Sequence, residues 1–302
     1  MNKFRIISSL PLLLLSACAV EPADGVGNSS GSARPAIDRG ALTNDVSASI
    51  TCNGNRLTAE SDMLVLGLTD SSTLVDIYDV QERVDAVAAA FEACGDPRGL
   101  FPTVYRPITD RAVEAIEEGR FEHGDWVRDL VIDFASRYLD NLRDEILYTS
   151  PSWAWDRYYE LAARDDVSLT RVAAMGIVVH LGVDLPWCLV EIGTEETHKD
   201  DFYLFGDVLV EVSDVIIADL YAYYGADSED LFTGFFMGDW VDSAFGQDTT
   251  TAFAFQTIRT KAWNNRWYLQ QWWGAWIAES EIYTSFWALD GVLAGLDASG
   301  TI

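Results

Sequence analysis

Lysine is nearly missing from this chain of 302 residues: Lys3, Lys199 and Lys261 are its three, and 20 basic residues face 48 acidic ones. A formal charge of −28 argues against nucleic acid as a partner, because phosphate binding draws on clustered lysine and arginine. The acidic balance keeps a surface soluble and says little about substrate. Histidine is as scarce, with only His123, His180 and His198, so a histidine-rich zinc site cannot be built. The four cysteines form no CxxC pair and no Cys/His cluster, which removes the usual structural zinc motifs. No serine is marked out as a nucleophile by its surroundings. Alternating apolar and polar runs joined by hairpin turns are absent as well, so β-architectures drop out. There is no internal repeat.

What is present begins with the N-terminus. MNKFRIISSLPLLLLSAC joins a short basic segment, Lys3 and Arg5, to an apolar stretch from Ile6 to Leu15. That stretch is too short for a bilayer-spanning helix, which needs about 20 residues. Leu15-Ser16-Ala17-Cys18 is similar to the lipobox of bacterial lipoprotein signal peptides. The resemblance implies removal of residues 1–17, acylation of Cys18 as the mature N-terminus, and attachment to the membrane of the cell envelope. Ala19 after the cysteine points to the outer membrane; an ordinary cleaved signal with a chance cysteine is the plainer alternative. Residues 18–49, rich in Gly, Ser, Ala, Pro and Asp without apolar period, read as a flexible tether. Residues 50–302 are enough for one large domain with a substantial core. In an exported chain Cys52 and Cys94 can pair, tying the start of the domain to the end of its first long helix. Cys188 lies in an apolar run and reads as a small buried hydrophobe.

The apolar period is helical almost throughout. Val80, Val84, Val87 and Phe91 share a face of a helix within 72–94, which Gly95-Asp96-Pro97 stops. A second helix is expected from a cap at Thr109 or Asp110 to Gly119, and a third over 124–148, lined by Val127, Leu130, Phe134, Tyr138 and Leu142. A fourth starts near Ser152. Ser168 caps a fifth that Pro186 closes or kinks. The run 202–225 and a long C-terminal run from Thr250 complete an all-α domain of about seven to nine helices. Trp272, Trp276, Tyr283 and Trp287 fall on one helical face, which reads as core before it reads as a surface that stacks on sugars or holds a lipid.

Within IVVHLGVDLPWCLV, residues 177–190, His180 and Asp184 stand four apart and project from one face of an apolar, buried helix. A buried carboxylate needs a partner; Arg137 and Arg259 are the candidates by type. Three readings compete: a polar network that fixes helix packing, an acid–base pair with His180 as base and Asp184 as its orienter, and a metal site. The last would draw on His180, Asp184, Glu191, Glu195, His198 and Asp201. Glu195-xx-His198 has the spacing of carboxylate-bridged di-iron helices, although those sites use two such motifs and here there is one.

Several segments resemble a known family. "GRFEHGDW" with "FASRYLDN" (within 109–142), "MGIVVHLGVDLPWCLVE" (175–191), "DDFYLFGDVLVEV" and "RTKAWNNRWYL" are similar to stretches of the bacterial domain-of-unknown-function family 5995. The resemblance covers about residues 75–270. It implies a helical domain in which His180, Asp184, Arg137 and Tyr138 are family features, and it brings no reaction and no cofactor. Where the family has asparagine before the histidine and asparagine or histidine after it, this chain has Val178 and Gly182; Ser136 also replaces an asparagine. Two functions follow as expectations: a hydrolase-like enzyme of small or lipidic substrates built on His180, Asp184, Arg137, Tyr138 and Arg259, or a non-catalytic envelope protein that binds a hydrophobic ligand or a protein partner.

Overall fold

A computed structural model describes residues 41–232 and 255–302. The signal-like segment, Cys18, most of the tether and Thr250 lie outside these residues. Twelve α-helices and one two-stranded hairpin make up the described chain, so the all-α class stands. They are α1 (Ala41–Ser49), β1 (Cys52–Asn53), β2 (Arg56–Leu57), α2 (Ala59–Leu68), α3 (Ile77–Glu92), α4 (Leu100–Glu117), α5 (Gly124–Leu147) and α6 (Trp153–Ala162). Then follow α7 (Leu169–Val179), α8 (Leu185–Glu191), α9 (Lys199–Val210), α10 (Ser213–Tyr224), α11 (Phe255–Leu269) and α12 (Ala275–Ala298). The count exceeds seven to nine because apolar runs break where the backbone turns: 202–225 divides into α9 and α10.

Local chemistry sets most of the ends. Asp76 opens α3 by accepting from the backbone N–H groups of Tyr78 and Asp79 at 2.9 and 3.1 Å. Ser168 caps α7 through the Arg171 N–H. One boundary differs from expectation. α4 starts at Leu100 rather than near Thr109, running through Pro102 and Pro107. Pro102 falls in the first turn, where no N–H is needed, and Pro107 removes one internal bond that packing against α3 and α7 outweighs. α1 also forms inside the stretch read as tether, because Leu42 and Val46, one turn apart, pack onto the core beside α3 and Thr43 bonds Asp85 at 2.6 Å.

Cys52 and Cys94 are joined in a disulfide that ties the hairpin to the end of α3. Cys188 is a buried free thiol. The run Leu169–Glu191 is long and apolar enough to cross a bilayer, yet 89 % of its most apolar window is buried in protein. It is the central rod of the fold, with α4, α5, α6, α11 and α12 around it. α4 approaches α7 so closely that a Cβ on Gly176 would lie 2.7 Å from Phe101 Cβ.

Candidate functional site

The rod is not one regular helix. Between α7 and α8, residues His180–Asp184 form a π-helical turn, closed by the Leu185 N–H bonding the His180 carbonyl five residues back. Pro186 supplies the cause: its ring lacks an N–H and crowds the carbonyl four residues earlier, and widening the turn relieves that crowding. The helix therefore continues past the proline.

The wide turn places His180 and Asp184 side by side in the core. His180 Nδ1 lies 3.0 Å from Asp184 Oδ2, and the same oxygen accepts from Trp155 Nε1 of α6 at 2.9 Å. The partner of the carboxylate is thus a tryptophan. Arg137 instead pairs with Asp133 one turn away on α5, at 2.7 Å. Arg259 donates to the Phe202 carbonyl at 2.6 Å and sits over the Phe202, Phe255 and Phe205 rings at 4.3, 5.4 and 6.0 Å. Burial pulls its guanidinium down to about 9, still charged at neutral pH. Gly206 makes room for it, since a Cβ there would fall 1.5 Å from Nη1.

Four rings enclose the imidazole. Phe134 lies flat on it, centroids 3.4 Å apart at 12°, while Phe101, Tyr105 and Trp155 meet it edge-on at 5.0, 4.9 and 6.1 Å. Only 3 % of His180 is exposed. That burial holds its pKa below the ordinary 6.5, against the pull of Asp184 in the other direction. The neutral ring donates from Nδ1, because a carboxylate only accepts. Nε2 then carries the lone pair and has no hydrogen-bond partner. Tyr138 stands one ring further off, against Phe101 and Trp155 at 4.9 and 5.4 Å, and its buried hydroxyl is also unpartnered. Chemically this is a base with an oriented proton, shut away from solvent.

The residues proposed for a metal part company. Glu195 and His198 form a reciprocal cap, in which the Glu195 N–H donates to His198 Nδ1 at 3.1 Å; the i, i+3 spacing serves a helix start. Asp201 accepts from the backbone of Glu122 and His123 at 3.0 and 2.6 Å and pairs with His123 Nδ1 at 2.9 Å, fixing the entry to α5. Glu191 is exposed at the end of α8. Among the described residues no three His, Cys, Asp or Glu side chains gather as a metal set.

A feature that no motif announced lies on the other side of the π turn. α7, the turn, α11 and α12 enclose a cavity of about 300 Å³ lined by Val178, Gly182, Ile258, Ala262, Ile282 and Leu289 among others. Its polar groups are Lys261, Asn265, Glu281 and Ser285. They are joined: Glu281 takes Lys261 Nζ, Asn265 Nδ2 at 2.5 Å and Ser285 Oγ at 2.7 Å. Half-buried, Glu281 keeps a carboxyl pKa below the usual range; burial opposes this, and the three hydrogen bonds and the lysine charge outweigh it.

A family model described as a family of unknown function (DUF5995) matches residues 77–282, from the first residue of α3 into α12. The chain belongs to that family. No curated protein matches it, nor does any solved structure. The matched span of the DUF5995 chain includes the π turn, the His180–Asp184–Trp155 network and most of the cavity wall. Val178 and Gly182 both face the cavity, so its wall there is apolar.

Proposed function

We propose that this DUF5995 protein is a lipid-anchored protein of the bacterial cell envelope whose helical domain binds a small amphiphilic molecule in the cavity between α7, α11 and α12. The cavity carries the reading: its wall is apolar, and four bonded polar side chains stand together at one part of it. An apolar body would lie against Val178, Ile258, Ala262, Ile282 and Leu289, and a polar end beside Lys261 and Glu281, the arrangement usual for small-molecule pockets. Anchoring is supported by Leu15-Ser16-Ala17-Cys18, and placement at the outer membrane by Ala19.

Gly182 offers a clean test. A Cβ built there meets only Ile258 Cγ2, at 4.0 Å, so Gly182→Leu would extend into the cavity rather than into the core. Titration with a fluorescent medium-chain fatty acid should give saturable binding to the parent and at least tenfold weaker binding to the variant, with an unchanged melting temperature. Equal affinity in both proteins would refute the cavity as the site. Labelling with an alkyne fatty acid, lost in Cys18→Ser, tests the anchor.

The unpartnered Nε2 of His180 favours a second reading, an acid–base catalyst with Asp184 as orienter. Diethyl pyrocarbonate distinguishes them. Modification of His180 in the folded protein within minutes would support substrate access, and protection until unfolding would leave the dyad a packing element.

A further inference from the structure

α12 is apolar on two faces, about 120° apart around its axis. Ala278, Ile282, Phe286, Leu289 and Leu293 are buried. On the second face Trp276, Tyr283 and Trp287, spaced seven and four residues apart, are exposed in one stripe, and Trp272 just before the helix is 94 % exposed. The face read from sequence as core is outside. Trp153 of α6, itself exposed, extends it, with its ring 5.3 Å from Tyr283 and 6.4 Å from Trp287. Large aromatics grouped on a surface mark an interaction site.

Three observations choose the occupant. The side chains are Trp and Tyr, which settle at the headgroup level of a bilayer because one end of the ring is apolar and the other bonds water. Trp276 and Trp287 are eleven residues apart on one helix, about 16 Å, and together with Trp153 they form a broad flank rather than a cleft. Finally, residues 19–40 separate Cys18 from α1, and 22 residues of chain span at most about 75 Å. Such a link holds the domain at the membrane at roughly millimolar effective concentration without choosing which side faces it. The acidic remainder of the surface is repelled by anionic lipid, so a neutral aromatic face is suited to a zwitterionic one.

We propose that the face formed by Trp272, Trp276, Tyr283, Trp287 and Trp153 docks in the interface of a zwitterionic phospholipid bilayer, orienting the domain on the membrane to which Cys18 ties it; this rests on the lipid-anchored reading above. The full chain, purified from a bacterial host that processes lipoproteins, is reconstituted in phosphatidylcholine vesicles with and without brominated phosphatidylcholine. Tryptophan fluorescence of the parent should be quenched by the brominated lipid, and the quenching should fall at least twofold in Trp272→Ser/Trp276→Ser/Trp287→Ser. Single Trp272→Ser and Trp276→Ser variants, at the most exposed positions, should each show part of that loss should the triple variant misfold. No quenching in the parent, or equal quenching in parent and variants, overturns docking. So does a parent that sediments as a dimer in detergent while the triple variant is monomeric, since the face would then meet a second copy. The mass of the mature chain reports acylation of Cys18 separately. A chain without acyl groups sinks the anchor, and quenching by excess vesicles still reads the face.

Discussion

Replacing Asp184 separates two things the residue does: it carries a buried charge, and it accepts two hydrogen bonds on one oxygen. Asp184→Ala strands the Nδ1–H of His180 and the Nε1–H of Trp155, both buried. Each unsatisfied buried donor costs about 1–3 kcal/mol, and relief of the carboxylate's own desolvation offsets part of the sum, which leaves a loss of about 3–4 kcal/mol. Asp184→Asn keeps an acceptor where Oδ2 now sits and preserves both bonds in weaker, neutral form; the expected loss is about 1 kcal/mol. Urea unfolding followed by far-ultraviolet circular dichroism, at pH 7.5 with the disulfide intact, measures both. If asparagine is as damaging as alanine, charge rather than acceptance matters. If alanine costs under 1 kcal/mol, the network holds nothing together.

Three further expectations are open to measurement. His180 has a folded-state pKa below its unfolded 6.5, so the unfolded chain binds the extra proton first and stability falls as pH drops through about 6.5. His198 is shifted in the same direction, so the comparison is between parent and His180→Phe, and a slope unchanged in the variant would remove His180 as its source. Cys52→Ala/Cys94→Ala opens a loop of sequence separation 42, worth about 4 kcal/mol in the chain-entropy account; an unaltered urea midpoint would mean that the denatured chain gains nothing from release. Gly206→Ala drives a methyl into Arg259 Nη1 and should cost about 2–3 kcal/mol, read as a lower melting temperature, whereas a neutral outcome would show that Arg259 has another place to go.

The sequence made the rod visible and hid what surrounds it. His180 and Asp184 announce themselves by spacing within an apolar run, a local signal. Trp155 does not, being one tryptophan among eleven on a helix 29 residues away from the carboxylate it binds. α5 and the Ser168 cap were legible because apolar period and capping chemistry agree there. The start of α4 was not, because Pro102 and Pro107 look like stops until neighbouring helices are seen to hold them. Glu195 and His198 show that one spacing serves two chemistries, a ligand pair or a helix cap, and only tertiary surroundings separate them. α12 misled for a related reason: a helix with two apolar faces does not declare which of them is inside.

The π turn has a consequence for helix phase. A π turn amounts to one residue more than an α-helix of the same length would contain, and each residue advances the helix by about 100°. Deleting a single residue between His180 and Asp184 would remove the wide turn, set Pro186 back against the carbonyl four residues earlier, and turn everything after it by that angle. Cys188 and Leu189, both fully buried, would swing away from the neighbours of α8, α5 and α11, and the exposed Trp187 would turn out of its present place in the water. The chain can therefore change residues within this turn far more readily than it can change their number.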